Sequence, residues 1–194
     1  KTRAQPWFSF LRRGQMAYWY CASIRTKNEF CARHFVDKYQ GQTFVFNKPS
    51  GAIGGGEIGR MLAEMNNSDK KDWIGDTEWW VNIGCLQITD CGIGDEEEAK
   101  KANEFCNIFY GMLRNEVNFD YAILGVEVGE FRSEKELFKE FQDGSVTKFD
   151  GLVFKNNIFQ HLDMPFPALD VSVFQPFSPT HTWIPKKPEK YPHR

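Results

Sequence analysis

The stretch Trp79-Trp80-Val81-Asn82-Ile83-Gly84-Cys85-Leu86-Gln87-Ile88 decides how this chain is read. After Trp80 it alternates apolar residues with small or polar ones, the two-residue period of a strand with one wet face. A parallel sheet covered by helices on both faces would instead show continuous Val/Ile runs. The pattern therefore predicts an α+β chain, with a mixed, largely antiparallel sheet and helices packed mainly on one face.

Upstream, the aromatic run Ala17 to Ile24 reads as a strand. Thr26-Lys27-Asn28-Glu29 has the form of a capping box and predicts a helix to Gln40, stopped by Gly41. Gln42 to Asn47 reads as a short strand, and Pro49 to Gly56 as a loop. Ile58, Met61, Leu62 and Met65 recur at helical spacing and predict a second helix, followed by a polar connection from Asn66 to Asp76.

Downstream, Asp95-Glu96-Glu97-Glu98 opens the longest predicted helix, acid at its start matching the positive end of the helix dipole. Its apolar stripe is Ala99, Ala102, Phe105, Cys106, Phe109, Met112 and Leu113. Phe119 to Val128 is a strand candidate, and Ser133-x-x-Glu136 is a second capping box leading Leu137, Phe138 and Phe141 into a short helix ended by Gly144. Strands at 151–155 and 168–175 flank a helical turn at 157–162. The expected order is β-α-β-α-β-α-β-α-β-β, in a single domain spanning 1–194. Residues 1–15 read as a leader and 176–194 as a proline-rich tail, both peripheral.

The chain of 194 residues is 41% hydrophobic and 15% aromatic, which excludes disorder for its body. A net charge of −2, from 24 basic and 26 acidic residues, gives no global pull toward nucleic acid or an anionic membrane. No apolar run approaches the ~20 residues that span a bilayer. Five cysteines, with no Cys-x-x-Cys among them, read as buried free thiols in a reducing compartment, or as two disulfides and one thiol in an exported protein.

Four patterns invite functional readings. Gly54-Gly55-Gly56-Glu57-Ile58-Gly59 fits G-x-G-x-x-G, so Gly54, Gly56 and Gly59 form a candidate phosphate loop if a helix follows. A dinucleotide site would also need a strand running straight into the first glycine, and Pro49, Ser50 and Gly51 interrupt that. Asp95, Glu96, Glu97 and Glu98 form a candidate acidic docking turn. Trp79 and Trp80 place one indole on each side of a strand, one for the core and one as an interface anchor. Cys31 and His34 lie three apart, but with Phe30 and Phe35 around them they read as a core thiol beside a boundary histidine. Glu127 and Glu130 are a weak pair of acids, His161, His181 and His193 are isolated, and no spacing suggests a metal site.

Two regions resemble bacterial immunity proteins of polymorphic toxin systems, nearest the Immunity protein 52 family. One is Tyr18-Trp19, Arg25 and Glu29-Phe30-Cys31-Ala32-Arg33; the other is Gly151-Leu152-Val153-Phe154, Leu162, Pro165, Pro167 and Val171-x-Val173. Together they cover about a third of the chain. The family's small residue after Tyr-Trp is Tyr20 here, and the glycine loop at 51–59 has no counterpart in it. The resemblance implies a non-catalytic binding protein that occludes a cognate protein toxin, with no cofactor, no metal, no membrane and no direct nucleic-acid contact. It carries no contact residue over. Absence of a visible signal favours the cytoplasm, with the periplasm as the alternative. Two other functions compete: an enzyme binding a nucleotide or phosphorylated ligand at the glycine loop, and an accessory subunit of an assembly.

Overall fold

The computed structural model describes residues 20–47, 56–71, 77–85, 88, 93–126, 128, 132–158 and 171–191. Within them the elements run β1 (Tyr20–Thr26), α1 (Glu29–Tyr39), β2 (Thr43–Phe46), β3 (Glu57–Lys71), β4 (Thr77–Cys85), α2 (Glu96–Leu113), β5 (Tyr121–Val126), α3 (Glu134–Gln142), β6 (Val153–Lys155), β7 (Gln175–Ser178) and β8 (His181–Trp183). The strands form one eight-stranded sheet in the order β2-β3-β4-β1-β5-β6-β8-β7. Every described pairing is antiparallel. The fold is α+β, as the alternation in β4 predicts.

β1 is the centre of the sheet, and all of its residues are buried. Ile24 stands opposite Val81 on one side and Ala122 on the other, and Ala22 opposite Ile83 and Leu124. These residues face the main core, where α1 and α2 lay down Phe35, Tyr39, Phe105, Phe109 and Leu113. The opposite face carries Trp80, Tyr121 and Phe154, covered by Leu137, Phe138 and Phe141 of α3. The two longer helices thus share one face and the short one takes the other.

Helix starts follow local chemistry. Asp95 caps α2, its Oδ1 accepting from the Glu98 amide at 2.8 Å. Ser133 and Glu136 form the expected reciprocal box at α3. At α1 the cap is Asn28, whose Oδ1 accepts from the Cys31 amide at 3.0 Å. The expected Thr26–Glu29 box does not form, because Thr26 ends β1 and its hydroxyl donates to the Asn28 and Trp79 carbonyls. Gly41, at φ 78°, ends that helix as expected.

Four expectations are corrected. Residues 58–65 are not a helix but the first half of β3, paired with β2 and then β4. Ile58, Met61, Leu62 and Met65 satisfy both periods, since Met61 and Met65 also share one face of a strand. Pairing on both edges decides between the two. The predicted connection from Asn66 falls inside β3 up to Lys71. Of the strand expected at 168–175, residues 168–170 lie outside the described residues, Val171–Val173 form a 3-10 turn, and β7 begins only at Gln175. Nor is the tail peripheral throughout: β8 pairs with β6 and β7, and Phe177, His181 and Ile184 are buried. The leader at 1–15 lies outside the described residues.

Candidate functional site

Four acids mark the start of α2, and their roles divide. Asp95 and Glu98 serve the helix terminus: Asp95 accepts from the Glu98 amide, and Glu98 Oε2 accepts from the Gly94 amide at 2.6 Å. Glu96 and Glu97 are exposed. Glu97 reaches Lys101 at 3.4 Å, while the Lys101 ammonium lies closer to Glu57 of β3, at 2.6 Å. Those two carboxylates, the hydrogen bond that Lys101 donates to Glu57 first, hold Lys101 charged more firmly than an ordinary lysine. The Asn47 amide donates to Glu104 at 2.8 Å. The first half of α2 is therefore fastened to the end of the β2–β3 hairpin.

That hairpin end carries an apolar pair that sequence reasoning missed. Val45 and Ile58 face each other across the β2–β3 ladder. They are 57% and 63% exposed. Phe44 and Phe46 point into the main core, so the residue between them must point out. The Phe44-Val45-Phe46 run was the available signal. β2 is the outermost strand on its side of the sheet. The sheet edge thus carries an exposed aliphatic pair on one face, while the acidic start of α2 is fastened to the other.

The tryptophans do not join it. Trp80 is fully buried under α3 and anchors nothing external. Trp79 is half-buried against the main core. It stands opposite Asn67 of β3, ten residues from Glu57, or roughly 33 Å at ~3.3 Å per strand residue. Trp80 belongs to a polar row on the α3 side of the sheet. Ser23 lies opposite Asn82, and Asn82 lies opposite Glu64. The Ser23 hydroxyl, the Trp80 Nε1 and the Asn82 Oδ1 are buried with no hydrogen-bond partner among the described residues. Burial pushes the half-buried Glu64 carboxyl above the usual range.

The glycine loop has no helix behind it. Gly54 lies outside the described residues, and Gly59 sits inside β3. Amides converging at a helix start, the basis of phosphate binding there, are replaced by a strand ladder. Packing accounts for both described glycines. A Cβ at Gly59 would lie 2.5 Å from the Phe44 ring, and one at Gly56 would lie 2.3 Å from the Phe46 carbonyl oxygen.

Nucleophile chemistry finds little support in the described thiols. Burial pushes the Cys21 thiol up to about 12 and the Cys106 thiol up to about 11, so neither is a thiolate at neutral pH. Cys21, Cys31 and Cys106 are free thiols. Phe30, expected in the core beside Cys31, is 80% exposed. His34 turns to Glu116 at 3.7 Å. Glu116 also accepts from Tyr39 at 2.6 Å and pairs with Lys38 at 2.5 Å. Glu127, Glu130, His161 and His193 lie outside the described residues.

Among the described residues no group of three or more His, Cys, Asp or Glu is placed to hold a metal ion, and no helix is long and apolar enough to cross a membrane. No family model, no curated protein and no solved structure matches this chain.

Proposed function

We propose that this chain is a non-catalytic binding protein, an immunity factor that neutralises a cognate bacterial toxin by steric occlusion in the cytoplasm. The observation that carries the reading is the sheet edge where Val45 and Ile58 stand exposed on one face, with the acids of α2 on the other side of the same edge. Protein interfaces favour an apolar centre with a charged rim, and rim charge sets encounter rate and partner choice more than final affinity. An acidic rim fits a basic toxin surface, as a nuclease toxin would present. The resemblance of the segments around Tyr18-Trp19 and Gly151-Leu152-Val153-Phe154 to immunity proteins points the same way.

The test begins with tagged protein purified from the native host at low and then moderate salt. The expected result is one stoichiometric partner, encoded beside this gene, whose toxicity co-expression of this protein abolishes. The double variant Glu96→Lys, Glu97→Lys spares the capping acids. It should slow association and weaken its salt dependence, and adding Val45→Ser should abolish protection. Unchanged affinity and protection in the triple variant would remove this edge as the binding surface.

A further inference from the structure

A groove runs along the outer side of the second half of α2, closed opposite by the strap of chain after β8. Its volume is about 430 Å³, within the ~300–1,000 Å³ typical of small-molecule sites. The strap is firmly built. Asn103 makes two hydrogen bonds to the Glu189 backbone, donating to its carbonyl at 3.0 Å and accepting from its amide at 2.7 Å. The Lys186 ammonium sits 2.8 Å from Glu189 and 3.7 Å from Asp150. The Lys187 amide donates to Asp150 at 3.0 Å. Two walls fastened in this way give a preformed cavity rather than one that a ligand must order.

The floor is neutral and satisfied. Tyr110 donates to the Gly151 carbonyl at 2.7 Å, and Cys106 shares a hydrogen bond with Tyr20 at 2.8 Å. Gly111 leaves room above it, since a Cβ there would meet nothing within 4 Å.

The rim is cationic. The Arg114 guanidinium lies 5.4 Å from the Phe177 ring and 5.7 Å from the Trp183 ring. Stacking of this kind fixes the guanidinium plane while leaving its N–H edge for a ligand. Lys186 is matched by its two carboxylates. The side chains of Arg114 and Lys187 have no carboxylate partner among the described residues, and the exposed Asn107 amide has no hydrogen bond among them. A chain with a net charge of −2 thus concentrates two unmatched cations and a free amide around one aromatic-walled cavity.

We propose that this groove binds a small organic oxyanion, its carboxylate or phosphate held by Arg114 and Lys187 and its planar body lying against Trp183. The site stands apart from the proposed toxin-binding edge. Arg114 follows Glu98 by 16 residues along α2, roughly 24 Å at ~1.5 Å per residue.

The full chain, labelled for amide and indole NMR, is titrated at constant ionic strength with benzoate, with its neutral isostere benzamide, and with inorganic phosphate. Benzoate should shift the Trp183 indole resonance saturably, with benzamide about tenfold weaker or more, since a charged hydrogen bond separates them. Phosphate moving the same resonances would identify the oxyanion, rather than the ring, as the main determinant. Arg114→Gln should weaken benzoate at least about fivefold, the loss of one charged hydrogen bond. Lys187→Gln keeps the backbone bond to Asp150 and should weaken it similarly without disturbing the fold. Equal response to benzoate and benzamide, no saturation with either anion, or unchanged binding in Lys187→Gln would overturn the proposal.

Discussion

His181 of β8 lies flat against Phe119, with ring centroids 4.0 Å apart and planes 12° from parallel. Its Nε2 is 3.1 Å from the Phe119 carbonyl oxygen, and its Nδ1 is 2.9 Å from the Thr180 hydroxyl. A carbonyl only accepts, so Nε2 carries the proton and Nδ1 accepts from Thr180. The residue that the sequence leaves isolated is the bolt between the last strand and the turn before β5.

Burial lowers the His181 pKa below its ordinary value, with Lys155 adding to that and the Phe119 carbonyl and Asp120 opposing it. The unfolded chain therefore binds a proton that the folded chain resists. This contribution to stability is complete above the ordinary value of ~6.5 and is lost as pH falls from there through the folded pKa. Urea midpoints should drop between pH 7.5 and pH 5. His181→Gln should flatten that part of the curve, and an equally steep curve in the variant would refute the assignment.

Glu116 titrates lower. Burial alone would raise its carboxyl, but the hydrogen bonds from Lys38 and Tyr39 and the charges of Lys38 and His34 outweigh it, and the net shift is downward. Its contribution is present above the ordinary glutamate range of ~4.3 and disappears as pH falls through the folded value. Glu116→Gln should destabilise the protein by about 1–3 kcal/mol at pH 7, since a charged, hydrogen-bonded site is lost. The deficit should shrink in acid, and denaturant melts at pH 7 and pH 3.5 measure it.

Gly151 and Gly144 separate backbone strain from crowding. Both have positive φ, 88° and 78°. A Cβ at Gly151 would lie 2.5 Å from the Tyr110 hydroxyl and 2.8 Å from the Lys186 side chain, whereas one at Gly144 meets nothing within 4 Å. Gly144→Ala should cost about 1 kcal/mol, the left-handed penalty alone. Gly151→Ala adds the clash and should cost about 2–4 kcal/mol. Equal losses for the two in thermal melts would show that crowding at Gly151 is relieved without cost.

Ser23→Ala should stabilise. The hydroxyl is buried without a partner among the described residues, and leaving such a group unmade costs about 1–3 kcal/mol. Removing it changes little volume, so a gain of about 1 kcal/mol in the unfolding free energy is expected. A loss of that size would mean that the Ser23 hydroxyl is engaged in solution.

Local chemistry was legible wherever one element settled its own conformation. Asp95 at the start of α2, the Ser133–Glu136 box and the stop at Gly41 are contacts within a few residues of each other in sequence. The acidic turn was equally visible, since four consecutive acids need no fold to be noticed. The phosphate loop was misread because glycines also serve close approach, and at Gly59 the close neighbour is the Phe44 ring across a strand.

Sequence alone determined the α+β class, the three main helical stripes of apolar residues but for the false one at 58–65, and a strand at Trp80 to Cys85, though the wet face expected of that strand is covered, with Trp80 buried under α3. Those follow from periodicity and capping, which are short-range. Tertiary structure alone decided that 58–65 is strand, because its period fits either element until both edges are paired. It also decided that Trp80 is core, that Val45 and Ile58 meet in the open, and that residues 177–184 close the sheet. Each of these depends on partners far away in the chain, and no local pattern specifies which distant strand will supply them.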